Sequence, residues 1–486
     1  MIVVPLLLLA LGLRLNEMQG QSLWLDEAVE FNVAARPLPD VVEADRSSTH
    51  DPPLFSLALS LWLHVSNSDF YARFLPVMAS VLAVAGLYVL GRVVFSTPVG
   101  WFSALLAAVA PRAVFYGFEL NQYALIFLLT VLGTLLLERY LRSPNKLRLA
   151  AFLLVSSAAL FTHYELVFYW IALILVGTFA LIVPRGALPR RRLVPWFSGL
   201  AVLASIGLIL LGTYALPQKA RLPETYAPAR FLNGPVVLST EVETWVAQTG
   251  ELMRTLLWGT EPAPLAWLTA SLLIVGTLVC LFHSGRRLAL YFITSLALAY
   301  FMAGVGFLVY WFRYVWYAFP LAVLLICGGV FALAGGRYRR YLMPVAYLLM
   351  SILAILLFSR LPAISGKPFP ETEQFSEVMK YFQPRYQDGD AIYVYYATKP
   401  AFTRYGTETL LKAAIFQVWS RGIAPEKQQA DLWNAVGNTS RVWLLISHGH
   451  PSDASVLLEA LQGRCQQTDA LEVTGAAGYL FDCATP

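Results

Sequence analysis

The chain has 486 residues, 58% of them hydrophobic and only 13% charged, with a mean hydropathy of +0.60. Soluble domains run at about 45–50% apolar and about 25% charged, so a purely soluble protein is excluded and a polytopic membrane protein with room for a soluble domain is expected. The net charge of +5 does not point to nucleic acid, because most basic residues fall in short loops between apolar runs.

Eleven apolar runs are long enough to be candidate spans, near residues 1–15, 72–95, 97–114, 120–137, 147–162, 164–183, 195–216, 264–283, 287–311, 313–334 and 341–359. The first lacks a basic leader and a small-x-small cleavage site, so it reads as a retained span. Basic residues mark alternate loops: Arg139, Arg142, Lys146 and Arg148, then Arg185, Arg190, Arg191 and Arg192, then Arg286 and Arg287, then Arg337, Arg339 and Arg340. By the positive-inside rule these loops and the N-terminus are cytoplasmic. Loop 16–70, a turn at 112–119, "THYE" at 162–165, loop 217–263, "YWFRY" at 310–314 and everything beyond 360 are then outside. The expected division is a membrane domain over 1–360, with outer loops 16–70 and 217–263, and a small α/β domain over 361–486.

In that tail, "DAIYVYY" and "RVWLLIS" read as buried strands, while "ETEQFSEVMKYF", "PEKQQADLWNAV" and "SDASVLLEAL" read as amphipathic helices. Cys280 and Cys327 lie in apolar runs as inert core residues. Cys465 and Cys483 flank the last strands and are expected to pair if the tail is external. "SHGHPSD" carries His448 and His450, an incomplete metal set that reads as a loop starting a helix.

Polar chemistry collects on one face. Asp26 and Glu27 follow the first span; His50 and Asp51 lie in "STHDPPLF", Glu119 in "FYGFELNQYAL", His163 and Glu165 in "FTHYE", and Arg313 in "YWFRYVW". Each has an ordinary alternative: a solvated cap for Asp26, a helix start for Glu119, an interhelical hydrogen bond for His163, a snorkelling anchor for Arg313, and a helix-starting turn for "DPP". Ionisable groups beside the bilayer usually line a cavity, and an outward-facing cavity would collect all of them.

In order, "SLWLDEA", "HDPPLFSLALSLW", "YARFLPVMASVLAVAGLYVLGRVVF", "FYGFELNQYAL", "ALFTHYELVFYWIAL" and "FRYVWYAFPLAVLL" resemble the bacterial GT-C glycosyltransferases related to protein O-mannosyltransferases and to the lipid A aminoarabinose transferase. The resemblance covers roughly residues 1–335. It implies a mainly α, polytopic GT-C fold of about eleven transmembrane helices with a C-terminal extracytoplasmic α/β domain, and transfer of a sugar from a polyprenyl-phosphate donor outside the cytoplasmic membrane. Asp26 matches the acid held to be the base, with Glu27 beside it and Glu119 as the second acid. His50, Pro52 and Pro53 match an "HPPL"-like piece that Asp51 interrupts, and Arg313 matches the arginine before a late span. Asn121 stands where many members carry arginine, which weakens the case for phosphate binding at that point.

The residues suit that chemistry. A shielded carboxylate can activate an acceptor hydroxyl, and the departing lipid phosphate needs a cation, for which Arg313 is the first candidate and His50 the second. Asp26, Glu27 and Glu119 are the expected catalytic set; His50, Asp51, Tyr123, His163 and Arg313 are the expected donor- and acceptor-binding set. Direct displacement would invert the anomeric centre, whereas a double displacement would need a second carboxylate such as Glu27. No cofactor is required; a divalent cation is compatible with these side chains, but no metal motif demands one. The expected partners are a polyprenyl-phosphate-linked sugar, a glycan, lipid or protein acceptor, and membrane lipid. A lipid-linked-sugar transporter or flippase, an O-antigen ligase or polymerase, and an envelope scaffold or receptor remain as alternatives. Against transport, the charges sit at the span ends rather than at midplane, and no internal repeat is visible.

Overall fold

The computed structural model describes residues 3–49, 51–183, 190–221, 263–304, 313–417, 424–437, 439–449 and 451–483. Within these, a helix meets every one of the eleven apolar runs. Five helices are long and apolar enough to cross a membrane: Asp69–Val94, Tyr123–Arg142, Leu193–Gln218, Pro264–Phe282 and Arg339–Phe358. Thr97–Val109 and Pro111–Phe118 form a further, broken span bent by 67°. Leu54–Leu63, Leu166–Ile182 and Ala318–Ala334 are shorter apolar helices. The chain is a multi-pass membrane protein.

Two compact units divide the chain, and they do not follow its order. One comprises residues 1–18, 42–58 and 73–367; the other comprises 19–41, 59–72 and 368–486. In the first, helices approach closely where glycines face each other. A Cβ on Gly329 of Ala318–Ala334 would collide with the backbone of Gly276 in Ala263–Phe282, so this small-residue contact admits no side chain.

The second unit is built on a five-stranded sheet in the order β2-β1-β3-β5-β4. Its strands are β1 (Ala391–Val394), β2 (Ala414–Phe416), β3 (Arg441–Ser447), β4 (Gln466–Val473) and β5 (Ala476–Asp482). β1 is parallel to β2 and β3, whereas β5 is antiparallel to β3 and to β4. The apolar runs of β1 and β3 are buried almost throughout, as central parallel strands require, while edge strand β4 is largely exposed and polar. Phe375–Phe382, Pro425–Val436 and Pro451–Gln462 are the expected helices. Cys465 and Cys483 form a disulfide.

This unit also holds the residues after the first helix. Ser22 bonds Ser376 at 2.8 Å, Tyr405 Oη accepts the Leu23 N–H at 2.7 Å, and Asn32 donates to the Pro400 carbonyl at 2.9 Å. Arg404 lies 3.9 Å over the Phe31 ring and pairs with Asp69 at 2.7 Å. Outer-loop residues that sequence order attaches to the membrane domain are thus stitched into the α/β layer.

Candidate active site

The site in the first unit begins with a break. Residues 112–119, expected as a turn, form the helix Pro111–Phe118. The preceding helix stops at Ala110 because residue 111 is proline, which has no N–H for the Ala107 carbonyl. Arg14, fully buried on the first helix, takes over: its guanidinium donates to the carbonyls of Ala107 and Ala108 at 3.3 Å and of Ala113 at 3.1 Å. Nε donates to Ser80 Oγ at 2.7 Å. Gly117 makes room for this, since a Cβ there would fall on the guanidinium. The stapled break turns Tyr116 and Glu119 toward one end of the helices. Tyr116 stacks on Tyr123 with ring centroids 4.4 Å apart and meets Trp316 edge-on at 4.7 Å.

At that end the sequence-expected side chains gather. Gln122 Nε2 donates to Asp51 Oδ2 at 2.5 Å. The buried His163 ring lies with Nε2 3.4 Å from Asp51 and Nδ1 2.6 Å from Glu165, and its centroid is 5.7 Å from that of the tilted Tyr314 ring. Burial alone would lower this imidazole, but the Glu165 and Asp51 carboxylates outweigh burial and push it up to about 9, against the opposing charge of Arg313. Arg313 and the buried Glu119 both lie within electrostatic reach of Tyr123. Asp51, Glu119, Tyr123, His163 and Arg313 are therefore neighbours, drawn from segments as far apart as residues 51 and 313. His50 lies outside the described residues. Asn121 serves the backbone: its Oδ1 accepts the Gln122 N–H at 2.8 Å.

A second tier holds Asp51 in place. Gln218 Nε2 donates to the carbonyls of Thr49 at 3.0 Å and Asp51 at 3.2 Å, and Tyr164 Oη donates to Gln218 Oε1 at 2.6 Å. Asp45, buried on Leu38–Ser48, accepts from Ser56 at 2.5 Å and from Tyr214. Tyr214 sits on the π-helical turn Leu211–Ala215, the kind of insertion that often marks a functional position. Burial pushes the Asp45 carboxyl up to about 6 against the hydroxyls of Ser56 and Tyr214. Sequence reasoning did not single out Gln122, Asp45, Tyr164, Tyr214 or Gln218. Gln122 stands inside the quoted "ELNQYAL" motif and Tyr164 inside "FTHYE", but Asp45, Tyr214 and Gln218 have no local signal, because their roles exist only through tertiary contact.

The opposite ends of these helices hold a different arrangement. Glu138, buried, takes a forked pair from Arg287, with Nε at 2.8 Å, and a hydrogen bond from Tyr291 at 3.1 Å.

Asp26 and Glu27 belong to the second unit, on the helix Leu25–Ala34. Glu27 is buried and its carboxylate accepts the Trp24 N–H at 3.2 Å, half of a capping box. Asp26, the next residue toward the N-terminus, is only partly buried and lies within electrostatic reach of Glu373. Among the described residues, no three His, Cys, Asp or Glu side chains converge as metal ligands; Asp51 and Glu165 grip opposite nitrogens of His163 rather than a common point.

Solved structures define the fold. The chain is similar to ArnT from Cupriavidus metallidurans in the apo state, at 12% identity and a TM-score of 0.59, covering 98% of this chain and 97% of that one. The same enzyme bound to undecaprenyl phosphate gives a TM-score of 0.61 over the same shares, also at 12% identity. The archaeal oligosaccharyltransferase AglB from Archaeoglobus fulgidus, in complex with an inhibitory peptide and a dolichol-phosphate, gives 0.54 at 14% identity, covering 98% of this chain and 73% of that one. The fold is that of the GT-C glycosyltransferases, as the ordered motifs implied. Residues 50–210, which carry Asp51, Glu119, Gln122, Tyr123 and His163, match the family model described as dolichyl-phosphate-mannose-protein mannosyltransferase. No curated protein matches the sequence.

Proposed function

We propose that this protein is a membrane glycosyltransferase. It moves a sugar from a polyprenyl-phosphate donor to a hydroxyl or similar acceptor at the outer face of the cytoplasmic membrane, with inversion. The observation that carries the reading is the convergence of Asp51, Glu119, Tyr123, His163 and Arg313 at one end of the helices, in an aromatic setting of Tyr116, Tyr314 and Trp316. The basic loops supply the orientation, and the undecaprenyl phosphate and dolichol-phosphate named for the structural neighbours support the donor class.

In this reading the acceptor oxygen attacks the anomeric carbon and gives its proton to a carboxylate, the role that the motif resemblance assigns to Asp26. The bond from that carbon to the phosphate oxygen breaks, and the lipid phosphate leaves with the electron pair. Arg313 pairs with the departing phosphate. His163, held as an imidazolium by Glu165 and Asp51, adds positive charge and fixes Asp51. Glu119 and Tyr123 shape the donor end. The engagement of Glu27 with the Trp24 N–H favours a structural role for it over that of a nucleophile, and so favours single displacement. The acceptor is a glycan, lipid or protein.

The test is purified protein with radiolabelled polyprenyl-phosphate sugars and extracts of a strain lacking the protein. Label passing from lipid into an extract component is expected. Labelled lipid crossing a vesicle membrane with its sugar bond intact would make the protein a flippase instead.

A further inference from the structure

A cavity of about 520 Å³ lies wholly within the second unit, at the C-terminal end of β3. That size falls in the range of small-molecule sites, and the ends of parallel strands are where α/β layers place ligands. Its polar wall is a pair: His448 Nδ1 lies 2.6 Å from Glu373 Oε1, while Ser447 Oγ donates to Glu373 Oε2 at 3.4 Å. Glu373 is buried and burial raises its carboxyl, with His448 opposing. Tyr479 and Glu472 are also in the lining, and Tyr479 Oη donates to Glu472 at 2.7 Å. Ile446, Leu458 and Val473 add apolar lining.

The backbone is built around this pair. His448 has φ +52, a left-handed conformation that no other non-glycine residue takes among those described. Such strain persists where the surroundings enforce it. Gly475, in the β4–β5 turn at φ +68, passes so close to Thr372 and Glu373 that a Cβ there would strike both. The Trp24 ring lies 5.9 Å from His448, and Asp26, two residues on, is within electrostatic reach of Glu373.

We propose that this cavity is the acceptor pocket and takes a hydroxyl-rich saccharide, whose hydroxyls are read by the Glu373–His448 pair. The inference rests on the transferase reading above, since it is the proximity to Asp26 that makes the ligand an acceptor. The lining carboxylates of Glu373 and Glu472 accept hydrogen bonds from sugar hydroxyls, the imidazole supplies the complementary polar atom, and the apolar lining suits the C–H face of a pyranose ring. The polar lining includes the carboxylates of Glu373 and Glu472, the His448 imidazole and the Tyr479 phenol, groups that pair with hydroxyls, and a peptide laid along edge strand β4 is the competing occupant that the test includes.

Saturation-transfer NMR on the full-length protein in detergent, with a panel of hexose and hexosamine mono- and disaccharides, tests this. Wild type should transfer saturation to at least one of them. Glu373→Gln and His448→Gln should each weaken that binding by about tenfold or more. Glu373 is buried, so its variant is checked for folding, and Ala454→Trp, which puts an indole into the cavity from the Pro451–Gln462 helix, provides the second arm and should abolish binding. Absence of saturation transfer across the panel, or equal binding in all variants, overturns the proposal. So does a serine-containing peptide that binds in place of the sugars and is lost in Ala454→Trp. Polyprenyl-phosphate binding and transfer, measured on the same samples, separate the two readings. If transfer persists in Ala454→Trp, the pocket is refuted and the transferase stands. If saccharide binds but no sugar is ever moved, the transferase reading falls and the acceptor role falls with it.

Discussion

His163 Nδ1 lies 2.6 Å from Glu165 Oε2 inside the first unit, and the ring's other nitrogen faces Asp51. This pairing raises the imidazole above its ordinary value, to about 9. A group raised on folding stabilises fully below its unfolded pKa of about 6.5, and that contribution is lost as pH climbs through about 9. Thermal stability in detergent should therefore hold below about pH 6.5 and fall steadily from there to about pH 9. His163→Gln should flatten that fall. An unchanged pH profile in the variant would detach it from this cluster.

Arg313 is the cation expected to meet the donor phosphate. Arg313→Ala should weaken polyprenyl-phosphate binding about tenfold or more, and Arg313→Lys should restore only part of it, because lysine lacks the planar fork. Titration of purified variants with the lipid phosphate decides. Wild-type affinity in the alanine variant would leave Arg313 as a membrane anchor.

Much of this architecture is legible in the sequence, for physical reasons that also fix the limits. Apolar runs report spans because a bilayer allows little else, so all eleven coincide with helices. β1 and β3 are legible as unbroken apolar strands, whereas three-residue β2 and polar edge strand β4 carry almost no signal. The break before Pro111 has a visible cause, yet 97–114 reads as a single run because its apolar composition continues past the proline. Asp51, Glu119, His163 and Arg313 stand out as charges at span ends. His448 is visible but reads as a bare loop histidine, because its partner Glu373 is 75 positions away.

Arg14 offers a test of the break itself. Arg14→Met removes the donors for the Ala107, Ala108 and Ala113 carbonyls and should destabilise the protein by about 2 kcal/mol or more. Pro111→Ala restores an N–H for Ala107 and should recover part of that loss when combined with Arg14→Met. Strictly additive effects in thermal unfolding would show that the arginine does not act through the missing N–H.

The disulfide makes a simple chemical prediction. Two of the four cysteines, Cys280 and Cys327, are free and buried. Denatured but unreduced protein should alkylate at those two alone, and at all four after reduction. Cys465 and Cys483 are 18 positions apart, so Cys465→Ser should destabilise the second unit by roughly 3 kcal/mol on the chain-entropy estimate. Four reactive thiols before reduction would contradict an external location for this unit.

Asp26 carries the proposed chemistry. It is the partly buried acid of the pair, while its neighbour Glu27 is buried with its carboxylate on the Trp24 N–H. The two should therefore separate on mutation. Asp26→Asn keeps the shape and removes the base, so single-turnover transfer at saturating donor should fall by about 10²-fold or more, with donor affinity and thermal stability unchanged. Glu27→Gln removes the carboxylate from the capping box and should lower stability by about 1 kcal/mol with a smaller loss of turnover. Near-normal transfer by Asp26→Asn would return this residue to a solvated acid at a helix start, and a large turnover loss confined to Glu27→Gln would move the base one position along the chain.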